Sequence, residues 1–297
     1  MKLFFQPLAA LVALLFLCQC AAVDLRKGQI DELANDQAEQ RGRALMQSTY
    51  EAMGYNALSS TETYEVTANF KWNGFWLLMP MNSFPQNNKK DIQMRFATNT
   101  FDGQVEYLEG PRKNRVYGVQ SWQHYRQSNQ ESPMRTTNNA KYPWGLATYH
   151  YLIESPMRLL SAEIIKYAGE KIWSGQTYDL VFITWGSEEP NKEYDQWLVY
   201  INRETGFVDL AQVTLSDFWM PTPNSMEHAT INFSQRIETS IGAHLPTEVV
   251  IQLGKPKENL NKDVYTISLR DYQFDTFDRD LLYPISGLAE YGDSKPE

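Results

Sequence analysis

From Tyr64 to Trp72 the chain alternates without a break: Tyr64, Val66, Ala68, Phe70 and Trp72 share one face, Glu65, Thr67, Asn69 and Lys71 the other. A period of two predicts a half-buried antiparallel strand. Ile92, Met94 and Phe96 repeat the pattern and turn at Asp102-Gly103. Val105 to Leu108 follows, turning at Gly110-Pro111, and Arg115 to Arg126 reads as a returning strand through Tyr117, Val119 and Trp122. Between Trp173 and Ser216 the pattern changes. Tyr178, Leu180 and Phe182 point one way and Val181, Ile183 and Trp185 the other; Trp197, Val199 and Ile201 oppose Leu198 and Tyr200. A sheet with one wet face alternates, so both faces of this stretch are expected to be covered, by protein or by a ligand. Asn202 to Gly206 suits a short hairpin loop, Gly taking the positive φ of the turn. Further strands are predicted at Glu227–Ile237, Thr247–Leu253 and Val264–Tyr272, making roughly ten, most at hairpin spacing.

Two stretches carry a helical period instead. Ile30, Leu33, Ala34 and Ala38, then Leu45, Thr49, Ala52 and Met53, recur at three and four, which predicts a helix over 24–54 with Gly54 as its C-cap. Its charged first half reads as a solvated tether, and the part after Gly42 is expected to dock. In 144–168 the pair Ser155-Pro156 is a helix-start signal and predicts one or two short helices. The stretch 162–173 fits neither period and is left open between helix and strand.

The first 17 residues run apolar after Lys2 and lead to Cys18-Gln-Cys20-Ala-Ala22, a secretory signal rather than a spanning helix. Cleavage after Ala22 leaves a soluble chain; alternatively Cys18 or Cys20 is lipidated, although Gln19 or Leu17 precedes it where a lipoprotein box has a small residue. These are the only two cysteines, so residues beyond 22 hold no disulfide. The expected organisation is a signal over 1–22, a helical tether over 23–43, one domain over 44–285 and a disordered tail over 286–297. Removing 1–22 takes one Lys and no acid, leaving 26 basic against 36 acidic residues, net −10. Such a chain is a poor nucleic-acid binder and gains little from an anionic lipid surface. The aromatics (8 Trp, 17 Tyr, 14 Phe) are numerous enough for an aromatic-lined groove.

Five segments carry a resemblance: Ala44–Gly54 entering the first strand, Trp173–Phe182, Tyr200–Asp209, Gly242–Pro246 and Tyr272–Pro284. In this order of parts the chain resembles the superfamily of outer-membrane lipoprotein carriers and related envelope lipoproteins, over most of 44–284. The resemblance implies a mainly β fold with a few helices: an incomplete, half-open antiparallel β-barrel, with an N-terminal helix and a mid-chain helical plug on its concave side. It also implies an apolar cavity that accepts acyl chains.

Catalytic signatures do not emerge. The sequence has no Gly-x-Ser-x-Gly elbow, no phosphate-cradling glycine loop and no His-Glu-x-x-His pair. His124, His150, His228 and His244 are scattered and read as hydrogen-bonded, partly buried residues. Asp275, Asp278 and Asp280 lack the Gly and distal Glu of a calcium loop and read as turn carboxylates, and Glu188-Glu189 as a solvated loop. No cofactor or metal is expected. The expected function is a non-catalytic, monomeric protein of a Gram-negative envelope, in the periplasm or lipid-anchored at the outer membrane, that binds a lipid or lipidated partner. Candidate lining residues are Trp72, Phe75, Trp76, Phe182, Trp197 and Trp219, with Phe75–Pro80 and Phe218–Pro221 as a rim; ordinary core packing is the alternative for each. Two rivals stand: a sensor or scaffold of the same fold acting through its surface, and a carbohydrate-binding protein or hydrolase, which calls for exposed aromatics in a row.

Overall fold

The computed structural model describes residues 23–26, 36–78, 83–84, 88–129, 134–137, 140–216, 228–260 and 263–288. Among them lies one antiparallel sheet of thirteen strands, not closed into a barrel. The first six are β1 (Thr63–Trp72), β2 (Asp91–Ala97), β3 (Gly103–Tyr107), β4 (Val116–Gln120), β5 (Gln123–Gln127) and β6 (Arg135–Thr137). The other seven are β7 (Ile164–Trp173), β8 (Gln176–Thr184), β9 (Trp197–Asn202), β10 (Val208–Thr214), β11 (His228–Glu238), β12 (His244–Leu253) and β13 (Tyr265–Phe274). In space they run β6-β5-β4-β3-β2-β1-β13-β12-β11-β10-β9-β8-β7, so the first and last strands meet at the seam, Trp72 beside Tyr265.

Three helices complete the fold: α1 (Asp36–Ala52), α2 (Tyr55–Ser59) and α3 (Lys141–Leu160). The strand order dictates what α3 does. β6 is one sheet edge and β7 the other, and α3 is the connection between them. Its 20 residues span about 30 Å, enough to carry the chain across the concave side. α1 covers the β7 edge. A Cβ on Gly42 would lie 2.6 Å from the Tyr167 backbone nitrogen, so only glycine allows the helix this close to the strand. Gly54, at φ 73, ends α1 as expected, and the Met53 carbonyl then accepts from the His244 amide at 2.8 Å.

Several expectations are corrected here. Residues 23–26 are not helical, and α1 docks from Ala38 onward, ahead of Gly42; a solvated tether over 23–43 therefore does not describe these residues. Arg115–Arg126 is a hairpin rather than one strand. Its turn is Ser121-Trp122, at φ 51 and 61, and the Ser121 amide donates to Asp102 Oδ1 at 2.6 Å. Neither residue is the Gly or Asn that usually marks such a turn. The undecided 162–173 is strand β7, paired with β8. In α3, Glu154 leaves helical geometry (φ −108, ψ 19) just before Pro156, so Ser155-Pro156 marks a second helical segment across a kink. The signal with Cys18 and Cys20, residues 27–35 and the tail from 289 lie outside the described residues.

Candidate functional site

The concave face is apolar from strand to strand. Tyr64, Val66, Ala68 and Phe70 of β1, Ile92, Met94 and Phe96 of β2, Val199 and Ile201 of β9, and Val249 and Ile251 of β12 form one core with the inward residues of α3: Leu146, Tyr149, Leu152, Ile153 and Leu159. The predicted alternation of β1 is realised, since each of its inward side chains is buried.

Into this core α3 brings three polar side chains at spacing four: His150, Glu154 and Arg158, exposed by 0, 0 and 1%. The spacing stacks them on one helix face. Glu154 Oε2 accepts from Arg158 Nε at 2.7 Å, and Oε1 accepts from the Tyr64 hydroxyl at 2.5 Å and pairs with His150 Nδ1 at 2.8 Å. Arg158 also donates to the Thr100 carbonyl at 2.6 Å, and its guanidinium carbon lies 4.6 Å from the Phe101 ring centre. The His150 ring sits edge-on to Phe96 and Phe101. Burial by itself raises the Glu154 carboxyl, but the charges of Arg158 and His150 and the hydrogen bonds from His150 and Tyr64 outweigh it and hold Glu154 below the usual carboxylate range. Burial and the neighbouring Glu154 push the Tyr64 hydroxyl well above its ordinary value. At the kink, the Tyr55 hydroxyl donates to the Ile153 carbonyl at 2.6 Å. No member of this network is open to solvent. It fixes α3 across the sheet instead of presenting an acid or base to a substrate.

The sequence-predicted lining residues do not all meet. Trp72 and Trp197 are buried in the concave core, and Trp76 is packed against it half-buried. Trp72 stacks on Tyr265 at 4.3 Å, and Trp197 lies 5.3 Å from Tyr151 of α3. The Trp72 indole Nε1 is buried with no acceptor among the described residues, whereas a buried indole N–H ordinarily has one. Phe182 lies on the other face. Its strand neighbour Ile183 pairs with Trp197, so Phe182 points away from the concave core. It belongs instead to a convex cluster with Tyr178, Leu180, Leu198, Tyr200 and Leu210. The Phe75 side chain and all of Trp219 lie outside the described residues.

Residues 23–26 pack against the convex cluster. Leu25, 7% exposed, packs into it with Val23 beside it, and the Leu25 amide donates to Gln196 Oε1 at 2.9 Å. Arg26 pairs with Asp24 at 2.9 Å and with Glu189 at 2.7 Å. Glu189 is thus a tie for this strap as well as a loop residue, and its hydrogen bond and ion pair with Arg26 lower its pKa.

The remaining candidates are structural. His124 stacks on Tyr142 at 4.0 Å, and burial together with Arg126 lowers its pKa to about 4. The His244 ring packs on Phe207, and burial, with Lys255 and Lys257, lowers the pKa of His228. Asp275 Oδ1 accepts from the Glu62 and Thr63 amides, and Asp278 caps the turn at Asp280. No cluster of three metal-ligating residues occurs among the described residues. A polar recess of about 430 Å³ opens at the hairpin-turn end, lined by Ser59 to Glu62, the Thr98–Thr100 turn and Arg279. Among the described residues, no helix is long and apolar enough to cross a membrane. Sequence reasoning took His150 alone and missed Glu154 and Arg158; their signal was the four-residue spacing of charged groups inside an apolar helix.

No family model matches the sequence, and no curated protein matches it. Solved structures do match the fold. A DUF1329 family protein from Desulfovibrio piger is similar over 83% of this chain and 97% of that one, with 10% identity and a TM-score of 0.50. A LolA superfamily protein from Nitrosomonas europaea (82% and 97% covered, 7% identity) has a TM-score of 0.49. A domain from Vibrio parahaemolyticus described as an outer-membrane lipoprotein-sorting protein (82% and 97% covered, 5% identity) has 0.48. At these identities the likeness concerns the fold.

Proposed function

We propose that the chain is an exported, non-catalytic envelope protein that holds an acyl chain or a lipidated partner against the concave face of its open sheet. The observation that carries this reading is the Trp72 site. An indole N–H is buried without an acceptor among the described residues, at one end of an otherwise apolar face, a combination suited to a ligand with a long hydrocarbon and one ester or amide carbonyl. Such a ligand binds by desolvation, each buried methylene contributing about 0.8 kcal/mol. Met46, Met53 and Met94 line the same core and adapt easily to an alkyl chain. Trp76 and Trp197 are the further lining residues proposed. The carbohydrate alternative loses support, because the large hydrophobics that stand exposed among the described residues are all aliphatic: Leu77, Leu78, Leu108, Ile172, Ile237 and Leu281.

The test is native mass spectrometry of protein extracted gently from its host envelope. A bound lipid or acylated peptide is expected, and Trp72→Phe, which keeps the ring but removes the donor, should weaken its retention severalfold. A bare protein mass in every gentle extract would overturn the reading.

A further inference from the structure

The loops leave the sheet at two ends, and one of them is unlike the other. The register places the end of β1 (Trp72 beside Tyr265), the end of β12 (Leu253 beside Ala229) and the start of β9 (Trp197 beside Val213) at the same end. After β1, at this end, comes a single 3-10 turn, Gly74–Leu78, on which Leu77 is 45% and Leu78 83% exposed. Adjacent leucines left in water are costly unless something covers them. At the opposite end Ile172, Ile237 and Leu281 are also exposed, but each stands alone on a separate element.

Charge is sorted the same way. Although the chain carries a net −9, exposed Lys71, Lys89, Lys113, Arg115, Lys255 and Lys257 all fall on the loops and strand ends beside this turn. Of the acids at this end, Asp91 pairs with Arg270, Glu109 accepts from the Asp91 amide and Asp263 accepts from Asn73 and Thr266, while Glu258 stands exposed on the loop that carries Lys255 and Lys257. The acidic loop over β8 and β9 is partly neutralised, Glu188 by Lys166 and Glu189 by Arg26. The local balance of charge at this end differs from the net charge of the whole chain.

The strap supplies the third observation. Leu25 and Arg26 are fastened to Gln196 and Glu189, at the same end. Cys20 precedes Leu25 by five residues, at most about 17 Å of chain.

We propose that this end is a docking face for an anionic phospholipid bilayer, entered by Leu77 and Leu78 and held by the surrounding lysines and arginines. The leucines sink below the headgroups while the basic side chains stay among the phosphates. This face is separate from the concave site and functions whether or not that site holds a lipid.

The test uses a chain beginning at Val23, which keeps every described residue and has no anchor of its own. It is sedimented with phosphatidylcholine vesicles and with vesicles of phosphatidylcholine and phosphatidylglycerol in equal parts. Partition to the anionic vesicles is expected to exceed that to neutral ones by about tenfold or more and to fall with salt. Leu77→Ser with Leu78→Ser should lower it about tenfold, and Lys89→Glu with Lys113→Glu by at least about fivefold per charge reversed. Ile172→Ser and Ile237→Ser, at the other end, should leave it unchanged. All these positions are exposed, and matching thermal melts establish that each variant folds. Absence of vesicle binding, equal partition to both lipids, or a loss from the Ile variants as large as from the Leu pair would overturn the proposal. The vesicles carry no cargo, so none of these results bears on the concave site.

Discussion

The two halves of the sheet differ in how many faces they bury. Near the seam, β1, β2 and β3 turn a polar convex face to water, laced by Arg95, which pairs with Glu65 at 3.0 Å and Glu106 at 2.8 Å. In the other half, β8, β9 and β10 bury Tyr178, Leu180, Phe182, Leu198, Tyr200 and Leu210 on that same convex face, under Leu25. The concave side is alike in both. An apolar second face is thus evidence of a cover as much as of a ligand, because Leu25 and Val23, with Ile164 and Trp173, pack over this one.

Both halves depend on α3, which joins their outer edges. Glu154→Ala should cause the largest loss, about 3–5 kcal/mol by urea unfolding, because it leaves the Arg158 cation buried without its carboxylate. Since Glu154 titrates below its ordinary value, its contribution is complete above the unfolded carboxylate value of about 4.3 and is lost as pH falls through the lower folded one. Acid should therefore destabilise the parent in that window and Glu154→Ala less so. A loss under 1 kcal/mol, of about the size of a surface change, would mean that α3 is held by its apolar residues alone.

Phe182→Ala tests the doubly buried half. A fully buried ring removed from a packed cluster costs about 3–4 kcal/mol. Leu25→Ser keeps the cluster and removes its cover, for about 1.5–3 kcal/mol. It should also speed amide exchange in β8 and β9 while leaving β1 and β2 unchanged. Equal exchange in both halves would mean that the strap protects nothing.

The alternation from Tyr64 to Trp72 was readable because a strand with one wet face writes its orientation into every second residue. The double run of β8 and β9 was readable for the same reason, but the pattern gives faces only within each strand; that Phe182 and Trp197 lie on opposite sides follows from the register, in which Ile183 pairs with Trp197. The strap was not readable. Leu25 reaches a partner 171 residues away, and a contact of four residues leaves no period. The Ser121-Trp122 turn was missed because its positive φ values are enforced by Asp102 and the strands it joins, against the preference of its own side chains. Of the concave site, the sequence disclosed the inward aromatics but not Glu154 and Arg158, whose burial depends on the helix crossing the sheet and so leaves only their four-residue spacing as a signal.

The smallest effect belongs to the wet half, and it bounds the comparison from below. Arg95 bridges two carboxylates, but its side chain and theirs are 15 to 23% exposed, so water and salt reach all three. Arg95→Ala should cost only about 0.5–1 kcal/mol. The loss should shrink further as salt shortens the screening length to a few Å, about 3 Å at 1 M. Phe182→Ala should not respond to salt in this way, since no charge is removed from its surroundings. If the Arg95 loss instead equals that of Phe182 and persists in high salt, the ladder is a buried network, and the convex face of β1 to β3 is covered after all.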